Sequence, residues 1–461
     1  MPESRYDCVV IGSGPGGYVA AIRAAQLGMS TAVVERDDVV GGRCLNYACI
    51  PAKAVLRVAD VLSEIDDADD FGIEVAGRTV DFAAVGARRG KVVTTLTGGV
   101  SSLFRTHGIE VVRGHAALTA EGAIKVGGDF DGREIEASTI VLATGSVAKP
   151  IPGTRFGGRV LDTAGAWLLD ELPATLAVVG AGASGAEIAS AYGRLGADVL
   201  LLEALDRVLP TEDAEISKAV DRGLRKQNVT VLTDTQVQDV EAGEGGVRFR
   251  HGEESAEVDH LVIAAGRGAD VEGLGLDVAG VEVHENGQVK VDENMRTSRE
   301  GVYAIGDLVP GPALAHKASD EGIIAVEAAA GLETHPLVYD DIPRATFCTP
   351  NVASFGLTEE QAREQGYDVI AGKVQYGAVG AGAVYGDRQG LIKVIGERRY
   401  GELIGGHIVG SKATELIQEL VNARALEGGF AEVARIVHGH PTLSEAVMEA
   451  ARAADGWLIH G

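Results

Sequence analysis

Two cysteines lie five positions apart in the run Gly41-Gly42-Arg43-Cys44-Leu45-Asn46-Tyr47-Ala48-Cys49-Ile50-Pro51-Ala52-Lys53. In a regular α-helix that spacing rises about 7.5 Å, whereas the Cα atoms of a disulfide sit about 4.4–6.8 Å apart. If the two pair, the chain must be wound irregularly between them. A locally closed pair at a helix start would be reducible, and the helix N-terminus together with Lys53 would favour a thiolate once it opened. The same residues also read as two unrelated core thiols, or as half of a metal site that lacks partners at ligand spacing. Cys8 and Cys348 lie in apolar runs and read as buried and inert.

A second candidate for chemistry is His440-Pro441-Thr442-Leu443-Ser444-Glu445. Pro441 keeps His440 extended and outside the helix that follows, and Glu445 falls in that helix's first turn, within reach of one imidazole nitrogen. Such a carboxylate orients the ring, raises its pKa and leaves the other nitrogen to take a thiol proton. On spacing alone, a loop histidine beside a helix-capping glutamate is the better reading. His438 makes an H-x-H pattern, but no third ligand is visible and no metal site is expected.

The elements that must position these groups come from an internal repeat. Residues 8–36 (CVVIGSGPGGYVAAIRAAQLGMSTAVVER) and 176–204 (LAVVGAGASGAEIASAYGRLGADVLLLEA) align without a gap at an offset of 168. Gly12, Gly14, Gly17, Gly28 and Glu35 fall on Gly180, Gly182, Gly185, Gly196 and Glu203. Each copy reads as strand, glycine turn, helix and strand, with an acid 18 residues beyond the third glycine. The glycines let backbone approach a pyrophosphate, the helix N-terminus supplies unpaired N–H groups, and the acid accepts from ribose hydroxyls. Glu203 would repel a 2′-phosphate, which favours NAD over NADP.

A later apolar strand also recurs, as STIVLATGS (138–146) and DHLVIAAGR (259–267). The fold class is therefore α/β, with two tandem Rossmann-like dinucleotide-binding domains and a C-terminal α+β domain of short alternating strands. The domains are expected at 1–148, 149–270, a central segment 271–342, and 343–461. The acid-rich Glu64–Asp70 and the Gly-rich Gly377–Gly386 read as surface loops, and a helix is expected from about His316 to Ala330.

Taken together, GGRCLNYACIPAK after a first G-x-G-x-x-G, then a second such loop, then VYAIGD and HGHPTLSEA, resemble the FAD-dependent pyridine nucleotide–disulfide oxidoreductases. The likeness is to the branch that oxidises dihydrolipoamide, and it runs from about Tyr6 to about Ala454. It implies FAD held by Gly12, Gly14, Gly17 and Glu35, by Asp307 at the ribitol, and by the helix N-terminus near Ala315, with Gly42, Arg43, Lys53, Gly114, Gly145 and Gly266 as further cofactor-binding residues. It implies NAD held by Gly180, Gly182, Gly185 and Glu203. It further implies a redox-active Cys44–Cys49 disulfide, with Cys44 exchanging with substrate and Cys49 facing the flavin. Lys53 matches the family's flavin-side lysine, Glu187 its glutamate partner, and His440 with Glu445 its acid–base pair.

In this family the histidine serves the cysteines of the other subunit, so the C-terminal domain is expected to make a homodimer. The implied partner is a lipoyl-bearing acyltransferase or a glycine-cleavage lipoyl protein. Related NAD(P)H-dependent disulfide reductases, and a weakly active flavoprotein acting as a redox sensor or structural subunit, are the alternatives. Arg43, Ala48 and Ala52 depart from the family's usual Thr, Gly and Ser, and Ala183-Ser184 stand where bulkier residues are common. None of these changes touches Cys44, Cys49, Lys53, Glu187, His440 or Glu445.

Composition bounds the rest. The 461 residues are 46% hydrophobic, enough for real cores, and include 63 glycines. Lys and Arg number 41 against 67 Asp and Glu, a net charge of −26, which argues against nucleic acid or an anionic membrane as partner. Four cysteines make no secreted disulfide framework. With no leader and no long apolar span, a cytoplasmic location is expected.

Overall fold

The computed structural model describes residues 4–127 and 133–461. They divide into two compact units, each woven from separate stretches of chain. The first comprises Met1–Ala54, Ala83–Lys149 and Gly266–Tyr339.

Its sheet runs in the order Glu110–Arg113, Thr31–Glu35, Ser4–Ile11, Arg133–Leu142, Ile124–Gly127, His115–Leu118, with Val302–Ala304 also paired to Arg133–Leu142. The first four strands and Val302–Ala304 are parallel, which is why Cys8–Ile11 and Thr31–Glu35 are buried on both faces. Pro15 opens the helix Pro15–Gln26. That helix packs against Ala315–Ala329, the helix expected near His316. A Cβ on Gly16 would lie 2.8 Å from the Ala318 carbonyl, and one on Gly322 would lie 2.7 Å from that of Gly16. The strands Ser146–Ala148 and Arg267–Ala269 form a small antiparallel pair in the same unit.

The second unit comprises Val55–Phe82, Pro150–Ala265 and Asp340–Gly461. Its parallel sheet runs Val229–Leu232, Asp198–Leu202, Thr175–Val179, His260–Ile263, Val160–Asp162, repeating the order of the first unit's parallel strands. The two dinucleotide-binding folds are thus both present. Residues 344–409 add a five-stranded antiparallel sheet, Arg344–Thr346, Val352–Gly356, Leu403–Val409, Leu391–Glu397, Val369–Gln375. The helices Ala413–Ala425 and Ser444–Ala454 bury Leu420, Val447 and Ala450 against Phe355, Ile392 and Ile408 of this sheet. Gly372 lets the last helix seat on the edge strand, since a Cβ there would lie 2.1 Å from the Ala450 carbonyl and 2.3 Å from the Ala454 amide nitrogen.

Two expected loops differ. Glu64–Asp66 ends the helix Cys49–Asp66, and Ala68–Phe71 is a 3-10 turn. Gly380–Val384 forms a short helix, within which Gly382 lies where a Cβ would be 2.0 Å from the Tyr376 carbonyl. Among the described residues, no helix is long and apolar enough to cross a membrane.

Candidate active site

Around the cysteines the helix is interrupted. Gly41 and Gly42 take φ of 110° and 57°, which only glycine adopts cheaply, and a Cβ on Gly42 would lie 2.6 Å from Gly14 Cα. The short helix Gly42–Asn46 follows. The Arg43 carbonyl then accepts from both Tyr47 N at 2.8 Å and Ala48 N at 2.9 Å, and Cys49 starts a new helix of 18 residues. This is the irregular winding that pairing would require.

Cys44 and Cys49 stand as two thiols rather than as the expected disulfide, one of the two states that an exchanging pair must visit. The Cys44 thiol is hydrogen-bonded to Cys49, and that bond, with burial and the charge of Cys49, pushes its pKa well up against the pull of Lys53. Cys44 therefore holds its proton more tightly than a free thiol does, and Cys49 stands at the N-terminus of its helix. Tyr18 was no candidate, yet burial and the nearby Cys44 push its phenol up. Its only signal was a place directly after Gly17. Cys8 and Cys348 are fully buried, and burial with the charge of Asp7 pushes the Cys8 thiol up to about 12.

The two glycine loops share one geometry. A Cβ would lie 2.5 Å from the Ala143 carbonyl at Gly12 and 1.9 Å from the Gly12 carbonyl at Gly17. In the second copy it would lie 2.8 Å from the Ala264 carbonyl at Gly180 and 1.8 Å from the Gly180 carbonyl at Gly185. Gly14 and Gly182 have nothing within 4 Å of that position, so each loop leaves open space beside the start of its helix. Glu35 accepts from Ser13 N at 2.9 Å, Ser13 Oγ and Asp37 N at 3.0 Å. Glu203 accepts from Ala181 N at 2.6 Å and Leu205 N at 3.0 Å. Open backbone at a helix start with a fixed carboxylate beside it is the donor and acceptor set that a dinucleotide's pyrophosphate and ribose need.

Asp307 lies in the 3-10 turn Gly306–Leu308. Ser146 Oγ donates to Asp307 Oδ2 and accepts from Arg267 Nε at 2.8 Å, while Arg267 Nη2 donates to the Ser146 carbonyl. Neither Ser146 nor Arg267 was a candidate, and a match to the G-R dipeptide of 266–267 was the available hint. Ala315 is the first residue of its helix. Gly145 and Gly266 have φ of 81° and 152° and open space at the Cβ position. Gly114 instead packs on the sheet, where a Cβ would lie 2.1 Å from the Gly127 carbonyl.

In the second unit His440 Nδ1 lies 2.9 Å from Glu445 Oε1, and Thr442 N donates to Glu445 Oε2 at 2.9 Å. Burial raises the Glu445 carboxyl, but the Thr442 amide and His440 together hold it below its ordinary value. The His440 ring is 75% exposed on the single chain, and the His440–Pro441 peptide is cis. His438 is taken up by Glu419 and the Ile436 carbonyl rather than by an H-x-H pair. Glu187 is buried in the helix Ala183–Leu195, and its Oε1 accepts from Phe347 N at 2.9 Å, a partner that no motif signalled.

The model of the pyridine nucleotide-disulphide oxidoreductases matches residues 6–322, and that of the family's dimerisation domain matches residues 342–451. The chain belongs to this family. It is thus an FAD-dependent disulfide oxidoreductase that uses NAD(H), and its dimerisation domain supports a homodimer. A dihydrolipoyl dehydrogenase of Bacillus subtilis is 39% identical, covering 99% of each chain. One of Chlorobaculum parvum is 41% identical over 98% of this chain and 97% of its own. Among solved structures, LpdA from Mycobacterium tuberculosis superposes with a TM-score of 0.90 at 26% identity, covering 97% of this chain and 99% of that one. The HOCl-induced flavoprotein disulfide reductase RclA of Escherichia coli, as its Cu(II) complex, gives 0.87 at 27% identity, covering 97% and 99%.

Proposed function

We propose that this oxidoreductase oxidises protein-bound dihydrolipoamide to lipoamide with NAD as acceptor. The observation that carries the reading is the Cys44–Cys49 thiol pair astride a helix start, with Lys53 one turn beyond. Relatives named dihydrolipoyl dehydrogenase over nearly the whole chain support it.

In the reaction, His440 of one subunit takes the proton of a substrate thiol, its ring aligned by Glu445. The substrate thiolate attacks Cys44 of the oxidised pair; a mixed disulfide forms, the Cys44–Cys49 bond breaks, and Cys49 leaves as a thiolate. The second substrate thiol then attacks the mixed disulfide, closing lipoamide and returning Cys44 as a thiol. Two electrons have moved from substrate sulfur to the pair. Bound FAD supplies two-electron acceptance from a thiolate and hydride delivery to NAD. Lys53 and Glu187 complete the set as the lysine and glutamate that the motif match implies.

FAD is assigned to Gly12, Gly14, Gly17, Glu35 and Asp307 within residues 1–148 and 271–342. NAD is assigned to Gly180, Gly182, Gly185 and Glu203 within 149–270, and the dimer interface to 343–461. The Glu203 carboxylate accepts from a free ribose 2′-hydroxyl and repels a 2′-phosphate. The lipoyl group arrives on an acyltransferase or a glycine-cleavage lipoyl protein.

The test is NAD-linked oxidation of dihydrolipoamide by the FAD-loaded protein, run beside Cys49→Ser. Turnover that the substitution abolishes is expected. Absence of NAD-linked turnover with dihydrolipoamide, while NADH still reduces a dye, would reassign the substrate.

A further inference from the structure

The helix Ala315–Ala329 carries two charged side chains that the reaction above does not use. Lys317 and Glu321 are 1% and 0% exposed, and Lys317 Nζ lies 3.0 Å from Glu321 Oε1. Both reach the same glycine. Lys317 Nζ donates to the Gly306 carbonyl at 2.8 Å, and Gly306 N donates to Glu321 Oε2 at 2.7 Å. Tyr339 closes the group, its hydroxyl donating to Glu321 Oε1 at 2.6 Å. Burial pushes the Glu321 carboxyl up, and Lys317, Tyr339 and the Gly306 amide are what oppose it.

A buried ion pair is on average no more stabilising than apolar side chains of equal size, because desolvating two charges offsets their attraction. What this pair does that an apolar pair could not is bond both polar groups of Gly306, adding Lys317 to the Val309 amide on its carbonyl and supplying the acceptor for its N–H, where the chain turns at a φ of 72° directly before Asp307. On the other side, Ser146 holds Asp307 Oδ2. The Asp307 turn is thus gripped through its backbone by one helix and through its carboxylate by the Ser146–Arg267 relay.

We propose that Lys317 and Glu321 are positioning residues for the flavin dinucleotide, acting through Gly306 to set the Asp307 carboxylate against the ribitol. The inference rests on the reading of Asp307 as an FAD ligand. Removing the pair should loosen FAD only as far as Asp307 itself contributes.

The experiment follows FAD release from the full-length holoenzyme by the rise of free-flavin fluorescence. Asp307→Asn and the volume-conserving double variant Lys317→Met/Glu321→Met, which leaves no lone buried charge, are each expected to release FAD about tenfold faster, the effect of one charge-assisted hydrogen bond. The triple variant should be no faster than Asp307→Asn, since residues acting through one group do not add. Wild-type release from the double variant, or a triple variant whose loss is the product of the two, would overturn the inference. An unchanged Asp307→Asn would instead remove Asp307 as an FAD ligand, and the inference with it. Should the double variant not retain FAD on purification, Tyr339→Phe decides. It is expected to speed release about threefold in the wild-type background and not in Asp307→Asn, and no change in either would overturn the inference.

Discussion

The Nδ1 of His440 and the Oε1 of Glu445 stand 2.9 Å apart, and the second oxygen of the same carboxylate is held by the Thr442 amide. The glutamate is therefore not free to follow the ring; the ring follows it. His440→Gln should slow dihydrolipoamide oxidation about 10²–10⁴-fold, the usual range for losing a general base, while NADH-to-dye transfer is spared. Stopped-flow measurement of the two half-reactions separates them, and equal losses would take His440 out of the thiol chemistry.

Glu445→Gln keeps an oxygen for Thr442 but lowers the negative charge facing the imidazole. Its expected signature is a fall in the rate of dihydrolipoamide oxidation with NADH-to-dye transfer spared, because the ring loses the acceptor that fixes its orientation. The Glu445 carboxyl is itself held low, so it stays ionised until the pH falls below its ordinary range. An unchanged rate of dihydrolipoamide oxidation would mean that Glu445 only caps the helix.

Cofactor choice should depend on Glu203. Glu203→Gln retains an acceptor oxygen for only one of the Ala181 and Leu205 amides, and the charge that repels a 2′-phosphate is gone. The ratio of kcat/KM for NAD over NADP is expected to fall about tenfold, equivalent to about 1.4 kcal/mol. A ratio that does not change would place discrimination elsewhere in the loop.

Lys393 binds Asp213 at 2.9 Å and Glu359 at 2.8 Å, and the lysine and Asp213 side chains are each only 4% exposed. Lys393 holds the Glu359 carboxyl low and, against burial, that of Asp213. Against burial in turn, the two carboxylates raise the lysine. Carboxyls lowered on folding stabilise above their unfolded pKa, about 4, and lose that contribution as the pH falls through the folded values. The raised lysine contributes below about pH 10 and fades as the pH rises through its folded value. Lys393→Met, which strips the buried Asp213 carboxylate of its lysine while Glu359 keeps Arg363, should cost about 3 kcal/mol near neutrality. In melts across pH, the Tm gap to wild type should narrow below about pH 4; a gap constant across that range would refute the ion triad.

The nucleotide loops were legible because their glycines are required one at a time by backbone contacts: a side chain at Gly17 or Gly185 would sit under 2 Å from the loop's own carbonyl. The same rule misled at Gly377–Gly386, where glycine reads as flexibility but Gly382 serves close packing on Tyr376. The run Glu64–Asp70 reads as a loop by its charge, yet its first residues finish a helix whose exposed face tolerates acids. What could not be read were contacts between distant stretches. Arg267 reaching Ser146, the Phe347 amide on Glu187, and the convergence of Lys317 and Glu321 on Gly306 each depend on chain segments brought together by the sheets. The cysteine spacing announced an irregular turn without saying how it is made. The answer lies in one carbonyl, that of Arg43, which accepts two amides.

Gly372 sits in the middle of an edge strand and touches no group that handles protons or electrons. Yet the helix carrying Glu445 rests directly on it, so even a methyl group there would lift that helix and carry the carboxylate away from His440. In a mutational library this position should behave like an active-site residue, silent to every substrate probe and intolerant of all substitutions. A loss of turnover at Gly372 would report on alignment at the far end of the molecule's last helix rather than on the strand in which it lies.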